Sequence, residues 1–138
     1  GVELDRLKRE LDLIIVDTPP HAETDAKNAI KAADLVLVPC QPSPLDIWAS
    51  NATVETAVKE RRKAAMVLNR VPPRGRTVDE ARHAIGELRA PALMAQLGNR
   101  QAYVASAGQG LGVVESEPRS AAAEETRALA EEVLLRLG

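Results

Sequence analysis

The sequence has almost no aromatic residues: it contains no Phe, one Trp (Trp48) and one Tyr (Tyr103) among 138 residues. Its hydrophobic core must therefore be built mainly from Leu, Ile, Val and Ala. The single cysteine, Cys40, excludes an intrachain disulfide and any cysteine-based metal or iron–sulfur framework within one chain, and it fits a reducing compartment. No apolar run approaches the ~18 residues of a membrane span, so we expect no membrane association.

The sequence also lacks a charge excess of either sign. Its formal net charge is −2, which gives no global electrostatic reason to bind nucleic acid or a membrane surface. Any such binding requires a local patch. The length of 138 residues, with 45% hydrophobic and 28% charged residues, is typical of one globular domain with a substantial core.

The most informative stretch is an aliphatic run that ends at an acid. Leu13–Val16 predicts a strand over 11–17 that is buried on both faces, and the following Thr18-Pro19-Pro20 prevents its continuation. Asp17 would then lie at the carboxyl end of an interior strand, where open α/β sheets bind ligands. This carboxylate either holds Mg²⁺ through water beside a nucleotide phosphate or only caps the strand or the next turn.

Apolar segments alternate between strand-like and helix-like patterns along the rest of the chain. This alternation predicts an α/β fold with a mostly parallel sheet flanked by helices. Beside 11–17, strands are predicted at 34–39, 64–68 and 92–97. Helices are predicted at 1–10, 23–33, 45–62, 77–89, 100–107 and 118–137.

Several other side chains have both a functional and a plain structural interpretation. Cys40 is a nucleophile candidate, but it is interpreted as a packed small hydrophobe because neither His21 nor His83 adjoins it in sequence. Both histidines are interpreted as solvated surface residues. Four arginines form either a local patch for a DNA backbone or a solvated basic loop: Arg70, Arg74, Arg76 and Arg82.

Four stretches together resemble the ParA/MinD superfamily of partition ATPases, especially the short ParA type. They are Asp12–Pro20; Ala33–Pro39 with Pro42–Asp46; Val67–Arg70; and Asn99–Tyr103 leading to Gly112–Glu115. The stretches occur in the order of the family and cover essentially the whole chain. The resemblance implies a P-loop NTPase-like fold of the deviant Walker A class.

The resemblance also implies roles for particular residues. Asp17 corresponds to the Walker B acid that orders Mg²⁺ and its waters, and Thr18, Pro19 and Pro20 to the switch loop that responds to the γ-phosphate. Asn69 corresponds to the position that hydrogen-bonds the adenine edge, with Arg70 beside the base. An amide suits a purine edge because it both donates and accepts, whereas the residue pattern alone favours Asn69 as a strand-end turn residue.

For the full-length protein, the resemblance implies an ATPase for plasmid or chromosome partitioning in the bacterial cytoplasm, associated with the nucleoid. ATP and Mg²⁺ would close a homodimer, and the dimer would bind non-specific DNA through Arg74, Arg76 and Arg82. A centromere-binding adaptor protein would then stimulate hydrolysis and release the DNA. No membrane partner is expected, and no general base is identifiable.

The sequence departs from the family in two respects: it contains no phosphate-binding loop, and the acid of the family's first switch is missing. A phosphate cradle needs backbone N–H groups at a helix N-terminus and a lysine charge, and no lysine here follows a glycine-rich turn. We therefore interpret residues 1–138 as a single α/β domain, the C-terminal two-thirds of a ParA-like ATPase domain, with about 60–75 residues of βα units upstream. Alone, it is expected to bind no Mg²⁺–ATP and to hydrolyse none.

A second interpretation belongs to another functional class. A natural short protein would keep the α/β scaffold without the chemistry and serve as an adaptor that binds a partner ATPase through an exposed sheet edge. In both cases, the missing phosphate-loop strand would leave an apolar edge at 11–17, which favours aggregation or strand exchange.

Overall fold

The computed structural model describes residues 2–18 and 23–138. Helices and strands alternate along most of this length, as the apolar patterns predict. The helices are α1 (Val2–Glu10), α2 (Glu23–Ala32), α3 (Pro44–Lys59), α4 (Thr77–Gly86), α5 (Gln101–Gly108), α6 (Val113–Ser116) and α7 (Ala121–Leu137). The strands are β1 (Leu35–Cys40), β2 (Lys63–Val71) and β3 (Ala92–Gly98).

The three strands form a parallel sheet in the order β1-β2-β3. The central strand, β2, contains four consecutive residues that are at most 2% exposed, Ala65 to Leu68. A strand that is buried on both faces needs apolar side chains at successive positions rather than at alternate ones. The predicted α/β class with a parallel sheet is confirmed.

The two faces of the sheet are covered by different helices. Met66 and Leu68 pack into a larger cluster that includes Ile47 and Val54 of α3 and Ile85 of α4. The alternate residues of β2 point to the opposite face of the sheet, because strand side chains alternate between faces. Ala65 and Val67 join Leu93 of β3 and are covered by Leu129 and Val133 of α7.

The predicted strand at 11–17 is wrong. This segment is irregular, pairs with no described residue, and exposes Ile15 by 86% and Val16 by 53%. An aliphatic run can form a buried strand only where neighbouring backbone accepts its hydrogen bonds and other side chains cover it. Among the described residues, β1 pairs only with β2, and no strand lies between β1 and residues 11–17.

Helix limits differ from the predictions by a few residues. α3 begins at Pro44, because the Ser43 hydroxyl accepts the backbone N–H of Asp46 at 3.2 Å and caps the helix. It ends at Lys59, before Arg61 takes a left-handed backbone conformation with φ 56°. The described helices include none that combines the length and the apolarity required to cross a bilayer.

Candidate functional site

The carboxyl edge of the sheet carries two groups of predicted site residues. All three strands are parallel, so their carboxyl ends lie on one edge, which is where α/β sheets bind ligands. The end of segment 11–18 lies beside β1, and Asn69 and Arg70 lie near the end of β2. Thr18 shares a cavity with Leu37 to Pro39 of β1, whose register partners in β2 are Ala65 to Val67, two to four residues before Asn69.

Thr18 lines a cavity of about 410 Å³ between segment 11–18, β1 and α3. The other lining residues are Leu37, Val38, Pro39, Asp46, Ala49, Ser50 and Thr53. We call this space the switch cavity. Asp17 is exposed beside Thr18, whereas Pro19 and Pro20 of the predicted switch loop and the neighbouring His21 lie outside the described residues.

Cys40 lies at the end of β1, next to the switch cavity, but it is a core residue. It is 2% exposed, and burial together with the nearby negative charge of Asp46 raises the pKa of its thiol. A buried thiol with a raised pKa is a poor nucleophile, because the thiolate is the reactive form. The interpretation of Cys40 as a packed small residue is confirmed.

Asn69 and Arg70 form a bulge in β2 rather than ending the strand. Leu68 is in register with Gln96 and Val71 with Gly98, so β2 contains one residue more than β3 over this interval. Arg70 accommodates the bulge by taking a left-handed backbone conformation with φ 52°. Its N–H donates to Asn69 Oδ1 at 2.9 Å. The amide oxygen of Asn69 is thereby occupied locally, while its NH₂ group donates to no described residue.

A second cavity opens just beyond this bulge, between the carboxyl ends of β2 and β3. Its volume is about 190 Å³. Val71, Pro72 and Pro73 form an apolar wall, and the polar residues around it are Gln96, Asn99, Arg100 and Glu125. Because ligand pockets for drug-sized molecules occupy roughly 300–1,000 Å³, this smaller space suits one planar ring system. We call it the base cavity.

Glu125 of α7 holds the polar side of the base cavity together. Oε1 accepts from Arg100 Nε at 3.0 Å and Nη2 at 2.6 Å, and Oε2 accepts from the Gly98 N–H at 3.0 Å and the Tyr103 hydroxyl at 3.2 Å. Partial burial alone would raise the pKa of Glu125. The hydrogen bonds and the charge of Arg100 outweigh burial and lower this pKa, so the carboxylate is ionised at neutral pH.

The predicted DNA-contacting arginines have different surroundings. Arg74 and Arg76 are exposed in the loop between β2 and α4, where Gly75 provides a turn with φ 124°. Arg82 of α4 instead donates to the carbonyl oxygens of Leu93 at 2.8 Å and Met94 at 3.1 Å. These bonds tie α4 to β3 and make Arg82 a structural link, and its proposed DNA contact stays an untested prediction.

Sequence reasoning missed Glu125 and the polar side of the base cavity. Glu125 lies in the Ala- and Glu-rich stretch 121–132, which carries no motif and has a plain helical pattern. One signal was present: Glu125 and Glu132 are seven residues apart, which puts both acids on one face of α7. Both carboxylates accept backbone N–H groups of β3.

The described ranges contain no group of three or more His, Cys, Asp or Glu side chains arranged to hold a metal ion. A single acid still suits Mg²⁺, because this ion commonly binds proteins through one or two carboxylates and keeps waters or substrate phosphates as its other ligands. Asp17, which is exposed beside Thr18, offers one such carboxylate.

Comparisons with known proteins show which proteins this chain is similar to. A family model described as "AAA domain" matches residues 2–69. The chain is 32% identical over 130 residues to "Maintenance of carboxysome distribution protein A" of Halothiobacillus neapolitanus, covering 89% of this chain and 60% of that protein. It is 35% identical over 127 residues to the protein of the same name from Gloeobacter kilaueensis, covering 88% of this chain and 58% of the relative.

A shorter similarity involves a plasmid protein. The chain is 36% identical over 47 residues to "Plasmid partition protein A" of Escherichia coli, covering 34% of this chain and 12% of the relative. With respect to the two carboxysome-distribution proteins, the chain spans about three fifths of the relatives' length.

Proposed function

We propose that this chain, which belongs to the ParA/MinD superfamily of ATPases, is a single α/β domain forming the C-terminal two-thirds of a positioning or partition ATPase. The observation that carries the proposal is the position of two predicted groups at one sheet edge. Thr18 borders the switch cavity beside β1, and the Asn69–Arg70 bulge precedes the base cavity between β2 and β3. This arrangement suits a nucleotide lying along the carboxyl edge.

Asp17 would hold Mg²⁺ through water, and Thr18, Pro19 and Pro20 would form the switch loop. With ATP bound, the metal ion held by Asp17 would supply neutralisation of phosphate charge and polarisation of a bound water. Asn69 would donate its free NH₂ group to an acceptor on the adenine edge, and Arg70 would lie beside the base. The apolar wall of Val71, Pro72 and Pro73 supports this assignment, because a base needs a flat apolar surface against one face.

The names of the relatives indicate the class of process. One relative is named for carboxysome distribution and another for plasmid partition. We propose that the full-length protein uses ATP binding to form a homodimer that holds non-specific DNA in the bacterial nucleoid. A centromere-binding adaptor, or an equivalent protein on another cargo, would stimulate hydrolysis and release the dimer.

Arg74 and Arg76 are the proposed DNA contacts. Both are exposed in one loop, and replacing each arginine that binds a phosphate should reduce the slope of log affinity against log salt by about 0.9. The test compares Arg74→Gln/Arg76→Gln with the exposed control Arg119→Gln in the ATP-bound protein, with DNA of random sequence. If the double variant keeps the wild-type salt slope, this loop does not contact DNA.

The ATPase proposal is tested with the product of the native gene, whose intact mass is measured first. We expect Mg²⁺-dependent ATP hydrolysis that Asp17→Ala reduces to the background rate, whereas the exposed acid Asp12 tolerates the change Asp12→Ala. The 138-residue chain alone should hydrolyse no ATP, since it has no phosphate loop. Asp17-dependent hydrolysis by that chain would show that our account of the phosphate site is wrong.

One observation favours the adaptor function instead. The aliphatic segment 11–16 is exposed beside a sheet edge that has no further strand among the described residues, which suits docking onto a partner ATPase. An intact mass of 14.8 kDa for the native gene product, with no ATP hydrolysis, would support the adaptor and overturn the ATPase proposal.

A further inference from the structure

Arg100 has free hydrogen-bond donors at the base cavity. A guanidinium carries five N–H groups, and Glu125 takes one from Nε and one from Nη2. The other N–H groups of Arg100 donate to no acceptor in the part of the chain that the structure describes. Since Arg100 lines the base cavity, these donors are available to a ligand that enters it.

The acceptor positions of Glu125 are largely occupied. Oε1 accepts two N–H groups of Arg100, and Oε2 accepts the Gly98 N–H and shares the Tyr103 hydroxyl proton with the carbonyl oxygen of Ala122. A carboxylate offers about four acceptor positions, so the four bonds leave little for a ligand. The geometry therefore separates two roles: Glu125 fixes the turn after β3, and Arg100 presents donors.

Gly98 permits this close arrangement. A Cβ atom at position 98 would lie 3.0 Å from Arg100 Nε and 3.3 Å from Glu125 Oε1. Any side chain there would push the guanidinium or the carboxylate away from its present position. The backbone at Gly98, the carboxylate of Glu125 and the guanidinium of Arg100 thus form one packed unit beside the cavity.

We propose that Arg100 is a specificity-determining residue that donates hydrogen bonds to a ring-nitrogen acceptor of a purine base in the base cavity, and that Glu125 is the positioning residue that holds Arg100 there. This inference rests on the proposed nucleotide function. Three features support a purine: a cavity sized for one ring system, an apolar wall for the ring face, and a polar side with charged donors. A charged donor gains most from an acceptor in such a partly enclosed site.

The test uses the product of the native gene with adenosine, because the nucleoside probes the base cavity without contacts to a phosphate site. Affinity is measured by ligand-observed NMR for adenosine and for its 1-deaza, 3-deaza and 7-deaza analogues, each of which replaces one ring nitrogen by C–H. We expect one analogue to bind wild-type protein about tenfold more weakly, the size of a missing hydrogen bond to a charged donor. Arg100→Ala should bind adenosine and that analogue equally.

Glu125→Gln tests the positioning role. We expect it to reduce the adenosine-to-analogue ratio at least threefold, whereas the adjacent exposed control Glu124→Gln leaves the ratio unchanged. Glu125→Asp keeps the charge and should restore part of the ratio. A purely structural Glu125 would lower the thermal midpoint in Glu125→Gln and leave the ratio intact, which would overturn the positioning role.

The outcomes distinguish this inference from the proposed function. If adenosine binds and Asn69→Ala weakens it, but no analogue differs from adenosine or Arg100→Ala preserves the difference, the role of Arg100 is wrong and the nucleotide function stands. If wild-type protein binds no adenosine at millimolar concentration, the base site itself is wrong and both proposals fall.

Discussion

Glu132 of α7 accepts the backbone N–H of Ala95 in β3 at 2.8 Å. The same carboxylate accepts the N–H of Met94 at 3.0 Å, and Glu125, two turns earlier, accepts that of Gly98. Among the described residues β3 pairs with β2 alone, so these helix side chains satisfy donors of an edge strand. Covering an edge in this way protects it from pairing with another chain.

Removing the Glu132 carboxylate should destabilise the protein. We expect Glu132→Ala to lower the free energy of unfolding by about 1–3 kcal/mol, because two backbone donors lose their partner. Glu131→Ala is the matched control: it lies one position earlier in α7, is exposed, and accepts no backbone N–H from the described residues. Urea denaturation followed by circular dichroism measures both. Equal losses in the two variants would mean that the edge contact contributes nothing.

The carboxylates on α7 should also make stability depend on pH in the acid range. For Glu132, as for Glu125, burial acts to raise the pKa, but hydrogen bonds and a nearby arginine lower it below the ordinary value of 4.5. The unfolded state therefore binds more protons at pH values between the lowered pKa and 4.5. Their contribution is complete above this window and is lost as the pH falls through it.

The check is the urea midpoint from about pH 6 down to about pH 3. Glu125→Gln/Glu132→Gln should be less stable at pH 6. It should also lose less stability on acidification, because glutamine cannot take up the protons that Glu125 and Glu132 bind on unfolding. If the double variant loses stability as steeply as the wild type, other acids cause the acid sensitivity.

The exposed aliphatic segment should be replaceable at little cost. Ile15 is 86% exposed, so Ile15→Ser should change the free energy of unfolding by less than about 0.5 kcal/mol. Leu93, which is 0% exposed, gives the contrast: Leu93→Ala should cost about 2–5 kcal/mol. A large loss in Ile15→Ser would instead support the buried strand that the sequence pattern predicts. Light scattering should show less self-association in Ile15→Ser.

The left-handed backbone at Arg70 should favour glycine over alanine. With φ 52°, a residue that has a Cβ atom is destabilised by about 1–2 kcal/mol, while glycine adopts this region freely. Arg70→Gly should therefore be more stable than Arg70→Ala by about 1 kcal/mol. At Lys63, a position of the same strand without a positive φ, the order should reverse. The same order at both positions would argue against the bulge.

The sequence alone determined the class of fold and most element positions. Runs of aliphatic residues alternate with helical patterns, and these local patterns depend on neighbours a few residues apart. β1, β3 and α4 accordingly begin within one residue of their predicted starts, although α4 begins without a side-chain cap. The motifs around Asp17 and Asn69 also identified the family, because they are contiguous in the chain.

Only the tertiary structure decided which of these segments find partners. Leu13–Val16 has the composition of a buried strand, but a strand needs a neighbouring backbone, and no described segment pairs with it. Glu125 has no local pattern at all, because its role comes from α7 lying across β3 and bringing it to Arg100, 25 residues away in sequence. Pairing and packing of distant segments are properties of the folded chain, and local composition does not encode them.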